Sequence, residues 1–165
     1  MTTTRDVLRF EIDDLADVKW PRYEVIDGTV IMTPYAGLPH QDVVGRSYMA
    51  LASAAPEGVK VYPGANVRRS IDDPADLLIP DVVVAVPSDL QSTYVLAQDV
   101  LVAVEVVSPS SRTTDRVTKR ATYPAWGVTA YLVVDTTAGG TATVTWHGDT
   151  SALGWAVTAV EQLDL

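Results

Sequence analysis

The sequence contains no cysteine. That excludes disulfides, thiolate nucleophiles and thiolate metal sites, and it suits a reducing, cytoplasmic setting. No apolar run reaches the roughly 18 residues of a membrane-spanning helix. The opening Met-Thr-Thr-Thr-Arg-Asp lacks the apolar core of a secretory signal. Cations are scarce, with 12 Lys and Arg against 21 Asp and Glu and a formal net charge of −9. Such a balance argues against a broad nucleic-acid-binding surface and would slow the approach of DNA. The cations present are clustered: Arg112, Arg116, Lys119 and Arg120 share one segment, and Arg68-Arg69 form another. Internal repeats, low-complexity tracts and linkers are also missing. A length of 165 residues, 47% of them hydrophobic, is enough for one domain over 1–165 with a substantial core.

Leu8, Ile12, Leu15 and Val18 predict a short amphipathic helix over 6–18, ended by Trp20-Pro21. Residues 23–26 and 29–32 read as a hairpin turning on Asp27-Gly28, which supplies the positive φ angles of a type I′ turn. A loop over 34–39 leads to a helix from His40 to about Ala55, with Val44, Tyr48, Leu51, Ala52 and Ala55 on its inner face. Strand-like segments follow at 59–62 and 65–68, broken by Pro63-Gly64, and Ser70 to Leu77 reads as an acidic loop. Two strands, 79–86 and 100–107, are apolar almost throughout, the pattern of strands covered on both faces. Thr113 or Thr114 can cap the next helix, Pro124 should end or kink it, and Trp126-Gly127 is its exit. Residues 128–135 form another buried strand. After a turn at Ala138-Gly139-Gly140, Thr141 to Trp146 and Trp155 to Val160 read as the last two strands, joined at His147-Gly148-Asp149. The fold class is α/β, a mixed central sheet flanked by helices.

The chemistry sits in 79–120. Asp81 opens one valine-rich strand and Glu105 lies near the end of the other. Carboxylates among aliphatic side chains are costly without a partner or a metal. A hard cation such as Mg²⁺ or Mn²⁺ takes one or two carboxylates, with water and phosphate oxygens completing its shell. Asp81 and Glu105 could hold such an ion, with the Val106 carbonyl as a third ligand. Lys119 could orient a water or stabilise charge growing on the phosphate. Asp115 stands one helical turn before Lys119, and Arg112, Arg116 and Arg120 could contact neighbouring phosphates.

Pro80-Asp81 followed by Glu105-Val106-Val107 resembles the PD-(D/E)XK restriction-endonuclease-like superfamily. The order Glu105, Ser108-Pro109-Ser110-Ser111, Arg112, Asp115, Lys119, Tyr123, Gly127-Val128 and Tyr131 is similar to the Uma-two family of restriction endonucleases. Upstream, residues 23–28 and His40-Gln41 also resemble that family. The resemblance implies a restriction-endonuclease-like fold and divalent-metal phosphodiester cleavage, with Asp81, Glu105 and Lys119 as the catalytic set. Where the superfamily usually carries lysine, position 107 is Val107, so Lys119 on the following helix would have to act instead.

Plainer roles stand beside these. Asp81 could accept backbone hydrogen bonds at a strand start, Lys119 could merely pair with Asp115, and Asp115 could complement a helix N-terminus. Glu24 reads either as an edge-strand charge or as a site residue, and His40 either as a helix-start residue or as a site member near the metal. Ser108, Ser110 and Ser111 lack an accompanying His-Asp arrangement, so turn chemistry explains them. Tyr123, Trp126 and Tyr131 read as packing residues. The functional expectation is a divalent-metal-dependent DNA endonuclease. Its alternatives are an inactive module of the same fold acting through protein contacts, and a phosphoesterase on nucleotides or small phosphate esters. Terminal strand edges point to a homo-oligomer, as a dimer.

Overall fold

Valine decides the centre of the molecule. In the computed structural model, which describes residues 23–32, 36–136 and 142–163, strand β6 (Val82–Ala85) pairs antiparallel with β8 (Val100–Val107), placing Val82 opposite Val104 and Val84 opposite Val102. β9 (Ala130–Thr136) runs parallel to β8 on its other side. With β10 (Ala142–Gly148) and β3 (Lys60–Pro63) they form a mixed five-stranded sheet of order β10-β9-β8-β6-β3. Along the central strands β6 and β8 both faces are buried. Val82, Val84, Val102, Val104 and Val106 pack against Val43, Val44 and Leu51 of α1 (Leu38–Ala54), and against Ala156 and Val160 of α3 (Gly154–Glu161). The alternate residues Val83, Ala103, Val107 and Val133 face Val67, Leu78 and Val95 of a second sheet, together with Tyr123 and Trp126. Each buried valine is worth roughly 1.5–3 kcal/mol relative to exposure, and this sustains a strand that also carries a carboxylate.

The second sheet is made of β1 (Tyr23–Ile26), β2 (Thr29–Met32), β4 (Val67–Ser70), β5 (Asp73–Leu78) and β7 (Val95–Leu96). Their order is β2-β1-β5-β4-β7. Asp27 and Gly28 take φ of +48° and +72°, as the β1–β2 hairpin requires. The α/β class and the flanking helices agree with the sequence, but the strands divide between two mixed sheets rather than one.

Other expectations are corrected. Ser70 to Leu77 is not a loop: β5 runs through it, paired with β4 and β1, and Asp76 turns inward to accept the Asp27 amide at 2.6 Å. Trp155 to Val160 is the helix α3, not a strand. Its buried positions Leu153, Ala156, Ala159 and Val160 recur every three or four residues, so period 3.6 governs despite a strand-like composition. Neither Thr113 nor Thr114 caps the helix after β8. Arg112 and Thr113 are already helical, and a π-helix, Thr114–Lys119, leads into α2 (Arg120–Ala125). α1 starts at Leu38 behind Gly37, with Pro39 in its first turn. It buries Val43 and Ser47 while Ala52 stays exposed. The helix expected over 6–18, its Trp20-Pro21 stop, the start of the loop at Pro34 and the turn at 138–140 lie outside the described residues.

Candidate active site

β6 and β8 bring the two central carboxylates to one place. Asp81 immediately precedes Val82, whose partner Val104 is followed by Glu105. Asp81 Oδ2 accepts the Val106 amide at 2.8 Å. The first turn of α1 delivers His40, whose Nε2 lies 2.8 Å from the Val106 carbonyl oxygen and 3.3 Å from Asp81 Oδ2. A carbonyl only accepts, so Nε2 carries the hydrogen. Asp81 and Glu105 line the same cleft. The arrangement that would have separated them, on opposite faces of the sheet, does not occur.

The π-helix supplies the counter-charge. Asp115, Lys119 and Tyr123 stand at intervals of four and are buried, whereas Arg116, Val117, Thr118 and Arg120 between them are exposed. Lys119 Nζ lies 2.7 Å from Glu105 Oε1, 2.9 Å from Glu24 Oε1 and 3.7 Å from Asp115 Oδ1. Glu24 reaches in from β1, and its Oε1 also accepts the Ile79 amide at 2.8 Å. The Tyr123 hydroxyl donates to Glu105 Oε1 at 2.7 Å, and the Tyr131 hydroxyl donates to the Asp115 carbonyl at 2.8 Å. Wide i→i+5 turns of this kind are frequent at functional sites.

Among the described residues negative charge is in excess here: Glu24, Asp81, Glu105 and Asp115 face one lysine and one histidine around the cleft. Burial pushes the Glu105 carboxyl well above its ordinary range; Lys119 opposes this, while Asp81, Glu24 and Asp115 add to it. Burial likewise raises Asp115, again against Lys119. For Lys119, burial works against the charged form, but Glu105, Glu24 and Asp115 outweigh it and the ammonium is held more firmly than usual. Burial also opposes the charged form of His40, and the Asp81 carboxylate overcomes it, so the imidazole lies above its ordinary value. Burial and Glu105 push both phenols upward, so Tyr123 and Tyr131 remain protonated donors.

The cleft encloses about 210 Å³. Ile31, Met32 and Ile79 form an apolar wall, the carboxylates and Lys119 the floor, and Ser108, Ser110 and Ser111 part of the rim. Among the described residues no three His, Asp or Glu side chains stand together as a metal cage. The oxygen donors nevertheless fit a hard divalent ion, which needs only one or two protein carboxylates. Both Asp115 carboxylate oxygens are buried without a hydrogen-bond partner, with Lys119 Nζ 3.7 Å from Oδ1 as their counter-charge, and a cation would add to that compensation.

Of the residues singled out in the sequence, Asp81, Glu105, Lys119, Glu24, His40, Asp115 and the Val106 backbone meet at this cleft. Arg112, Arg116 and Arg120 do not line it: Arg112 and Arg120 are exposed, and Arg116 pairs with Asp135 at the end of β9. The serines bond one another, with Ser108 and Ser111 hydroxyls 2.9 Å apart, in keeping with turn chemistry. The sequence reading missed the hydroxyl of Tyr123, treated there as packing alone. Its position four residues after Lys119 was the available signal.

A family model named Uma2, described as "Putative restriction endonuclease", matches residues 9–162. Among solved structures, a crystal structure described as a putative nuclease belonging to DUF820 from Anabaena variabilis ATCC 29413 aligns with a TM-score of 0.62. The alignment covers 82% of this chain and 83% of that one at 15% identity, a likeness of fold. No curated protein matches the chain.

Proposed function

The chain belongs to the Uma2 family of restriction-endonuclease-like proteins, and on that premise we propose that its cleft hydrolyses phosphodiester bonds in DNA with the help of Mg²⁺ or Mn²⁺. The observation that carries the proposal is the convergence of Asp81 and Glu105 at one cleft with Lys119 2.7 Å from Glu105. Asp81, Glu105 and the Val106 carbonyl would hold the ion. When bound, it supplies an acidified water and offsets charge on the phosphate.

The remaining work falls to the chain's own side chains. Lys119 stays an ammonium and, having three carboxylate neighbours, can turn one hydrogen toward a phosphoryl oxygen while the others keep it in place. His40 holds Asp81 and the Val106 carbonyl in register through its Nε2. Asp115 and Glu24 keep Lys119 charged. The serine rim presents hydroxyls where a phosphate would enter. Residues 1–165 are taken as one domain serving this site, in the cytoplasm. Self-association as a dimer through an open sheet edge belongs to the same reading, and sedimentation at micromolar concentration tests it.

The test is incubation of purified protein with plasmid and short oligonucleotides, with Mg²⁺, with Mn²⁺ and with chelator. Cutting should require the ion and vanish in Glu105→Ala while circular dichroism stays native. If the pure protein binds no divalent ion at millimolar concentration, the reading fails. A second reading, a non-catalytic module acting through protein contacts, draws support from the net charge of −9 and from valine at position 107. It requires that Asp81→Ala and Glu105→Ala alter stability alone. Nucleotides and small phosphate esters in the same panel separate a phosphoesterase from a nuclease.

A further inference from the structure

Glu105 Oε1 receives two hydrogen bonds of equal length, from Lys119 Nζ and from the Tyr123 hydroxyl, each at 2.7 Å. The two donors differ in how firmly they can hold it. Lys119 sits on a four-carbon stem and divides its ammonium among Glu105, Glu24 and Asp115, and a lysine engaged with substrate must loosen one of them. Tyr123 is a rigid ring with no solvent exposure. Its centroid lies 4.9 Å from that of Tyr131, in a tilted arrangement. The phenol is therefore the donor that does not move when the lysine does.

We infer that Tyr123 is a positioning residue of this site: its hydroxyl pins one oxygen of Glu105 so that the other is presented to the cleft for a divalent cation. The inference rests on the proposed metal-dependent reading and adds a residue to it. A carboxylate at a metal is oriented by the groups bonded to it, and loss of such a partner typically weakens metal binding or activity about 10- to 100-fold. Three features make this more than core packing. The hydroxyl reaches a side-chain carboxylate rather than a backbone group. That carboxylate lines the cleft. The oxygen it holds is the one the lysine shares.

The experiment is Mn²⁺ binding by electron paramagnetic resonance, on the full chain and on two variants that each delete a single hydroxyl. Tyr123→Phe should weaken Mn²⁺ binding about 10-fold or more and lower kcat with KM for the oligonucleotide nearly unchanged, while circular dichroism remains native. Tyr131→Phe deletes the neighbouring hydroxyl, whose partner is a backbone carbonyl, and should leave Mn²⁺ affinity within about 3-fold of the wild type. Equal losses in both variants would make the effect a general loosening of the core and overturn the inference, as would unchanged affinity in Tyr123→Phe. Should Tyr123→Phe be unfolded, the titration is repeated with trimethylamine N-oxide, which favours the compact state. A variant still unfolded there makes the hydroxyl a folding determinant and refutes the positioning role. Wild-type protein that binds and cuts beside a Tyr123→Phe variant that binds equally well sinks this inference alone. Wild-type protein that binds no Mn²⁺ sinks the nuclease reading with it.

Discussion

Lys119 Nζ rests 2.7 Å from Glu105 Oε1, both side chains being nearly closed to solvent, although the two residues leave different elements and are 14 apart in sequence. The position two residues after Glu105, where the superfamily usually has its lysine, is given to Val107, which is buried in the core instead. A π-helix presents the cation from above the sheet. The lysine is thereby structural and, on the proposed reading, chemical as well: among the described residues it is the only lysine or arginine lining a cleft that holds four carboxylates.

Lys119→Met tests that double role. Removing one partner of a buried ion cluster leaves uncompensated charge, at a cost of roughly 3–5 kcal/mol. Urea denaturation at neutral pH should show a loss of that order, partly restored by millimolar Mg²⁺. A variant as stable as the wild type would mean that the carboxylates are already neutral.

Stability should fall as pH rises. Glu105, Asp115 and His40 all bind a proton more tightly folded than at their ordinary values of 4.5, 3.8 and 6.5. Each contribution is complete below the ordinary value and is lost as pH climbs through the raised one. Lys119 follows the same sign only above 10.5. His147, lowered by burial and by Arg120, works in the opposite direction and is a single group against three. The urea midpoint without divalent ions should therefore decline between about pH 5 and about pH 8, and Mg²⁺ should flatten the decline by taking the place of the protons. A midpoint that rises across this interval would contradict the charge excess at the cleft.

Arg116 is committed to Asp135, so on the proposed reading contacts to flanking phosphates would fall to the exposed Arg112 and Arg120. In DNA-binding titrations at several salt concentrations, Arg112→Ala and Arg120→Ala should each reduce the salt slope by about one. Arg116→Ala should cost no more than about 1 kcal/mol of stability, since its pair is half-exposed. Slopes unchanged in both exposed variants would remove these arginines from the substrate path.

Gly148 closes β10 with φ of +92°, and a Cβ there would stand 2.5 Å from the Thr129 carbonyl oxygen. Gly148→Ala should cost on the order of 1–3 kcal/mol. Thermal melting should drop by about 2–4 °C for each kcal/mol, with Mn²⁺ affinity unchanged because the turn lies outside the cleft lining. A melting point equal to that of the wild type would show that the β10 exit relaxes freely.

Much of the centre was readable from residues alone. β6 and β8 declared themselves through uninterrupted valine, and the hairpin at Asp27-Gly28 through its turn chemistry. Asp81 and Glu105 stood out because an acid in such a run needs an explanation. Other parts were not readable, for separate reasons. Trp155 to Val160 has the composition of a strand, and only burial at Leu153, Ala156 and Val160 reveals helical period. The acidic stretch before Leu78 looked like a loop because its polar residues gave no hint that Asp76 would be buried against the Asp27 amide.

Local sequence determined which segments are buried strands, where the chain turns and which residue types could serve a cation, because these depend on side-chain volume, polarity and backbone freedom over a few residues. Tertiary structure alone decided that Glu24 and Lys119 share one carboxylate-lined floor, that Arg116 is spent on Asp135, and that Tyr123 ends at Glu105. Those outcomes turn on the wide turn of the π-helix and on the approach of a second sheet. Both arise from packing among residues far apart in the chain, and periodicity within a short window carries no record of either.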